Sequence, residues 1–150
     1  MHSLNDNLMS IGELLHSPIW AMGASPSKRT IYDWSVLLGM PRHKRGRLTW
    51  YNEREIYEFL CTGFFRCPRG RRAEFLSIAK AGDAPLLVTL EQLRIAGIWT
   101  TDSAPSERTL RTWVAADTIP YYRISHSLYF HVNAVRHCFT KQVQSEGLAA

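Results

Sequence analysis

The chain is 150 residues long and carries 18 Lys and Arg against 13 Asp and Glu, a net charge of +5 with a pI near 9.4. A basic balance of this size permits a polyanionic partner. No apolar run reaches transmembrane length, which excludes a spanning helix, and Cys61, Cys67 and Cys138 are odd in number and form no CxxC pair.

Residues 1–8 are polar and expected to fray. Ser10 caps a short predicted helix, Ile11–His16, with Ile11, Leu14 and Leu15 facing inward. The stretch SPIWAMGASP, punctuated by two prolines and a glycine, is a loop with Ile19 and Trp20 pinned to the core. Ser27 then caps a second helix to about Leu38, which Gly39 ends and Pro41 keeps from resuming. RHKRGRLTWYN reads as a β-hairpin turning at Gly46, and Asn52 caps a third helix, EREIYEFL, with acids in its first turn.

The same order then returns. Shifting the chain by 79 positions brings Ser27, Arg29, Thr30 and Trp34 onto Ser106, Arg108, Thr109 and Trp113. Leu14, Ile19, Trp20, Pro26 and Pro41 fall on Leu93, Ile98, Trp99, Pro105 and Pro120 without a gap. A tandem duplication follows, each copy one folded unit. In the second copy Thr89 caps TLEQLRIA, Ser106 caps SERTLRTWVAAD, YYRISHSLYF is the hairpin, and a last helix runs from Val132 to about Gln142. Between the copies, RRAEFLSIAKAG has helical apolar spacing (Phe75, Leu76, Ile78, Ala79) and stops at Gly82 and Pro85.

The expected fold is mainly α with small β-hairpin wings: two tandem winged helix-turn-helix domains, 9–62 and 88–142. A connecting segment with a helix, 63–87, joins them, and 143–150 is a tail. Each domain is small enough to be marginal alone, so the two are expected to pack on each other or on the connection. Trp34 and Trp113 are expected in their cores.

Helix, turn, helix and hairpin is an arrangement that reads duplex DNA, the second helix in the major groove and the hairpin on the backbone or minor groove. After Ser27, Ile31, Trp34 and Leu38 share the core face, while Arg29, Tyr32, Asp33 and Val36 share the outer one. The second copy presents Arg108, Arg111, Thr112 and Ala115 there. An arginine in the first turn of a helix opposes the helix dipole, and its occurrence in both copies points to an anionic partner. Ser27, Thr30, Ser106 and Thr109 stand where a helix N-terminus can meet phosphate, or they cap the helix while arginine pairs with a nearby acid. Charge is uneven: residues 1–75 hold 11 Lys and Arg against 7 acids, and 76–150 hold 7 against 6. It gathers in Arg42–Arg47 and in Arg66–Arg72, each a solvated face or a polyanion surface. The first wing reads as a phosphate clamp, and the second, with Arg123 and His126 among tyrosines, as one that packs or stacks.

The pattern S-x-R-T-[IL]-x-x-W, a short break, [MI]-P and a basic or aromatic hairpin resembles the winged helix-turn-helix of the MerR-like superfamily. It is most similar to the excisionase and AlpA-type members and to the DNA-binding domain of lambdoid small terminase subunits. The resemblance implies recognition helices at Ser27–Leu38 and Ser106–Asp117, with wings at Arg42–Tyr51 and Tyr121–Phe130. The DNA-contacting residues would be Ser27, Lys28, Arg29, Thr30, Tyr32, Asp33, Arg42, His43, Lys44, Arg45 and Arg47 in the first copy. In the second they would be Ser106, Arg108, Thr109, Arg111, Thr112, Tyr122, Arg123, Ser125 and His126. Such families join their first two helices by a tight turn, whereas both copies here carry a longer loop with the Ile-Trp pair. That loop widens the helix angle or contacts DNA itself.

The function expected is sequence-specific binding of double-stranded DNA, regulatory or architectural, one chain covering two half-sites about 10 base pairs apart. The alternative is an adaptor, or a packaging or partition protein, in which one copy holds DNA and the other a protein. Another DNA-processing protein or self-association would supply further partners. No nucleotide loop and no nucleophile–base pair is present, so no catalysis and no cofactor are expected. His131, and His137 beside Cys138, match no usual metal spacing, and buried thiols in a reducing cytosol are expected instead. The chain is expected in the cytoplasm, associated with the nucleoid.

Overall fold

The computed structural model describes residues 6–80 and 87–139. The first copy runs β1 (Leu8–Met9), α1 (Ile11–Leu14), α2 (Lys28–Leu37), β2 (His43–Arg45), β3 (Leu48–Asn52) and α3 (Glu53–Gly63). β4 (Phe65–Arg66) and α4 (Arg72–Lys80) connect it to the second copy. That copy runs β5 (Leu87–Val88), α5 (Leu90–Arg94), a 3-10 turn (Thr101–Ser103), α6 (Glu107–Ala115), β6 (Tyr121–Ile124), β7 (Ser127–His131) and α7 (132–139). The predicted stop at Gly82 and Pro85, the extension of the last helix to Gln142 and the tail 143–150 lie outside the described residues.

The duplication holds down to strand register. His43 faces Trp50 and Arg45 faces Leu48, as Tyr122 faces Tyr129 and Ile124 faces Ser127. Leu8 faces Asn52 as Leu87 faces His131. The helix starts repeat too. Ser10 and Thr89 close reciprocal capping boxes with Glu13 and Gln92, and Ser27 and Ser106 cap α2 and α6 through their hydroxyls.

The fold class departs from the mainly α expectation. Of the described residues 46% are helical and 19% lie in strands, in antiparallel sheets of three and four strands, so the fold is mixed α/β. The expected wings are not appendages. β1, β4 and β5 are two residues each, too short to show the alternation that marks a strand, yet each completes a sheet. The orders are β1-β3-β2 and β4-β6-β7-β5.

The second sheet joins the copies. β4 pairs with β6, Phe65 facing Tyr122 and Arg66 facing Tyr121. At the other edge Leu87 N–H donates to the Ile19 carbonyl at 2.6 Å and Ala21 N–H donates to the Leu87 carbonyl at 2.9 Å. The long loop of the first copy is thus the clasp on the second. Ser17 fixes it: its hydroxyl donates to the buried Glu53 carboxylate and accepts from Ile19 N–H at 3.2 Å.

One core therefore spans the repeat boundary. Tyr122, Ile124, Tyr129, Ala134 and Cys138 pack in one cluster with Leu14, Ile19, Trp20, Ile31, Trp34, Leu60, Phe65 and Phe75. Tyr121 and Phe130, on the opposite face of the same hairpin, pack with Leu93, Leu110, Val114 and Val135. The connecting segment is no passive linker, since Phe65 and Phe75 are buried in the first cluster. Trp34 is buried as expected, whereas Trp113 is half-buried, with Val114 taking the inward position.

Candidate nucleic-acid interface

The first candidate surface is α2 with the hairpin β2–β3. Thr30 N–H donates to Ser27 Oγ at 3.1 Å and the two hydroxyls lie 2.9 Å apart; Ser106 and Thr109 repeat this at 3.1 and 3.0 Å. The Ser27 and Ser106 hydroxyls thus cap their helices, and those of Thr30 and Thr109 bond to them. What the helix ends keep for an anion is the backbone N–H of the first two helical residues, which no helix satisfies internally.

Along the outer face Arg29 pairs with Asp33 at 3.2 Å, an exposed i,i+4 contact. Tyr32 is half-exposed and Lys28 and Val36 are exposed. The Arg42 guanidinium sits 6.0 Å from the Tyr32 ring centroid and ties the hairpin root to the helix. Beyond that root Lys44, Arg45 and Arg47 are exposed, and none has an acidic partner among the described residues. His43 is different: its Nε2 lies 2.6 Å from Glu55 Oε1 on α3. Gly46 takes φ +63 at the turn, which glycine adopts without steric cost.

The second hairpin has the same backbone and a different fate. Tyr122, expected to contact DNA, is fully buried. It contacts Phe65 with centroids 4.9 Å apart, and its hydroxyl lies 2.9 Å from that of Tyr57, which donates to the Ala79 carbonyl at 2.7 Å. Burial pushes both phenols well above their ordinary range. The physical reason is strand parity: Tyr122 and Tyr129 face the first copy's core, and only Arg123, Ser125 and His126 remain exposed, around the tip. Arg123 lies 6.0 Å from the Tyr121 ring centroid. Ser125 occupies the place of Gly46 with φ +57, a conformation costing a non-glycine residue about 1–2 kcal/mol.

No family model, curated protein or solved structure matches this chain.

The outer face of α6 also differs from that of α2. Thr112 stands where Asp33 stood, and its hydroxyl donates to the Arg108 carbonyl at 3.0 Å. Arg108 is exposed with no acidic partner among the described residues, while Arg111 pairs with Glu107 at 3.0 Å.

The basic run Arg66–Arg72 is mostly structural. Arg72 donates to the carbonyls of Phe65, Cys61 and Thr62 at 2.9, 3.0 and 3.2 Å and so closes the C-terminus of α3. Arg71 makes two hydrogen bonds to Glu74, at 3.2 and 3.0 Å, and lies over Phe75 at 4.6 Å. Only the spacing to a helix end could have signalled this from sequence.

Among the thiols, Cys61 and Cys138 are buried and Cys67 half-buried; burial raises all three above the ordinary range. His137 meets Glu74 at 2.6 Å, and His131 is buried with Nδ1 accepting from Ala134 N–H at 3.3 Å. That bond replaces the Asn52 cap of the first copy.

Proposed function

We propose that this protein binds duplex DNA, with the first copy as the principal reader. The observation that carries it is the contrast at equivalent positions: Lys44, Arg45 and Arg47 are exposed and without acidic partners beside α2, where the second hairpin has an exposed Arg123, a buried Ile124 and an exposed His126. Lys44, Arg45 and Arg47, unpaired cations on a hairpin joined to a helix by Arg42 and Tyr32, suit a phosphate backbone flanking a groove. The MerR-like resemblance implies the same docking. α6 adds Arg108 as a second contact, through a helix face without an acidic partner for it.

A second reading is the adaptor, favoured by the burial of Tyr122 and Tyr129, which leaves the second copy without a basic wing. Titrating labelled duplex at several salt concentrations tests the proposal and separates the two. Replacing Lys44, Arg45 and Arg47 with Gln should flatten the log–log salt slope by about 2–3. Arg108→Ala should weaken binding if α6 reads DNA and leave it unchanged if the second copy serves a protein. A parent with no measurable affinity for any duplex would refute both.

A further inference from the structure

The joint between the copies is heterologous: the first supplies a socket and the second a plug. The socket is the stretch Ile19–Ala21, bridged to Leu87 at Trp20, with the rings of Trp20 and Trp34. The plug is Leu87 on β5 with Tyr129, whose ring lies 5.4 Å from Trp20 and 6.5 Å from Trp34. Duplication gives each copy both halves, and among the described residues only one of each is joined to the other copy.

The unused halves keep their chemistry. Ile98, Trp99 and Trp113 correspond to Ile19, Trp20 and Trp34, but all three are half-buried where their counterparts are buried. Phe139 touches Trp99 and Trp113 at 5.7 and 5.6 Å and is itself half-buried. On the other side Leu8 is 50% exposed and Trp50 is half-buried, where Leu87 is buried and Tyr129 nearly so. The register decides where the backbone points. Leu8 pairs with Asn52 as Leu87 pairs with His131. The N–H and C=O of Leu87 point away from β7 to Ile19 and Ala21. Those of Leu8 therefore point out from β1, an edge of its sheet, and meet no partner among the described residues. An open edge beside exposed apolar side chains is a template for another chain.

We propose that the unused plug of one chain enters the unused socket of a second copy, head to tail. Leu8 lies along 98–100 and Trp50 packs on Trp99, Trp113 and Phe139. Each addition leaves a plug at one end and a socket at the other, so the product is a ring or an open filament, not a two-fold dimer. The contact is weaker than the internal joint, because His43 and Arg45 replace Tyr122 and Ile124 and because the internal joint is intramolecular. Assembly is accordingly concentration-dependent, and it does not rest on the DNA reading.

Two proline variants of the full chain test this by sedimentation over a wide concentration range, with thermal melting as the check on folding. Leu8→Pro removes an outward N–H from an edge strand and leaves the β1–β3 ladder intact. Thr100→Pro removes the N–H equivalent to that of Ala21, at a residue whose φ of −69 proline adopts. The parent should form a growing series of species, and each variant alone should associate at least about tenfold more weakly, a loss of about 1.4 kcal/mol. An equimolar mixture should stop at two chains, since one variant keeps its socket and the other its plug. A parent that stays monomeric, variants that assemble like the parent, or a mixture that stays monomeric while the parent assembles would each overturn the proposal. Should a proline variant melt early, Leu8→Lys and Thr100→Lys, both at exposed positions, repeat the mixing test with the same outcomes.

Discussion

The two hairpins share a strand register, a 79-residue offset and a turn, and they end in opposite environments. The first shows solvent a row of cations; the second fills the space between two halves of a core. The difference lies in three side chains of the hairpins, while the flanking Leu8 and Leu87 are the same residue. His43, Arg45 and Trp50 stand where Tyr122, Ile124 and Tyr129 stand. A backbone fold thus does not settle what a hairpin is for. Burying the aromatic set contributes on the order of 1.5–3 kcal/mol per large apolar side chain, while an unpaired arginine there would cost several. The duplicated unit keeps one geometry in two settings: one hairpin joins the copies and the other stays in solvent.

The two hairpins should differ most in what they contribute to stability. Tyr122→Ala should cost about 3–5 kcal/mol, as truncation of a buried aromatic does. The equivalent His43→Ala should cost no more than about 1 kcal/mol, since its partner Glu55 is also exposed. Denaturant unfolding measures both; equal losses would mean that the second hairpin is not the joint. Trp34→Ala should likewise cost more than Trp113→Ala, because only Trp34 is sealed on all sides.

A second difference titrates. His131 caps α7 where Asn52 caps α3, and burial pulls its pKa from 6.5 down to about 4. The folded state therefore takes up its proton at lower pH than the unfolded chain. Stability is full above about pH 6.5, falls as pH drops, and is down by about 3 kcal/mol near pH 4. His131→Asn, which restores the cap of the first copy, should flatten that window in melts recorded from pH 7 to 4. An unchanged pH dependence would assign the loss to other groups.

A smaller contrast concerns the arginines. Arg108→Ala should cost about 1–3 kcal/mol on a preferred site if it reads a guanine edge. Arg29→Ala should cost less, because Asp33 already holds its guanidinium. Asp33→Thr, which copies the second helix into the first, should raise nonspecific affinity. Competition between a selected duplex and random duplex separates these effects.

Much of this architecture is legible in the sequence, and the reasons are local. Caps at Ser10, Ser27, Asn52, Thr89 and Ser106, breaks at Gly39 and Pro41, and both hairpins depend on short-range chemistry. The duplication then repeats each signal. What the sequence could not show is tertiary. β1, β4 and β5 are too short to carry a pattern, so the sheets looked like wings and the fold like a mainly helical one. Tyr122 looked like a wing residue because its burial depends on Phe65 and Tyr57, far away in the chain. The lengthened loop looked like a possible DNA contact because its partner, Leu87, lies in the other copy. Ser27 and Ser106 were readable as caps, and as caps they are used.

On the proposed function, the first hairpin faces a polyanion and the second does not. Duplex affinity measured against salt, for Lys44→Gln/Arg45→Gln/Arg47→Gln and for Arg123→Gln/His126→Gln, tests it most directly. The first variant should lose about 2–3 from the log–log slope and bind all sequences more weakly, while the second should change the slope by less than about 1. Equal slopes for the two variants, or a larger change in the second, would contradict the account.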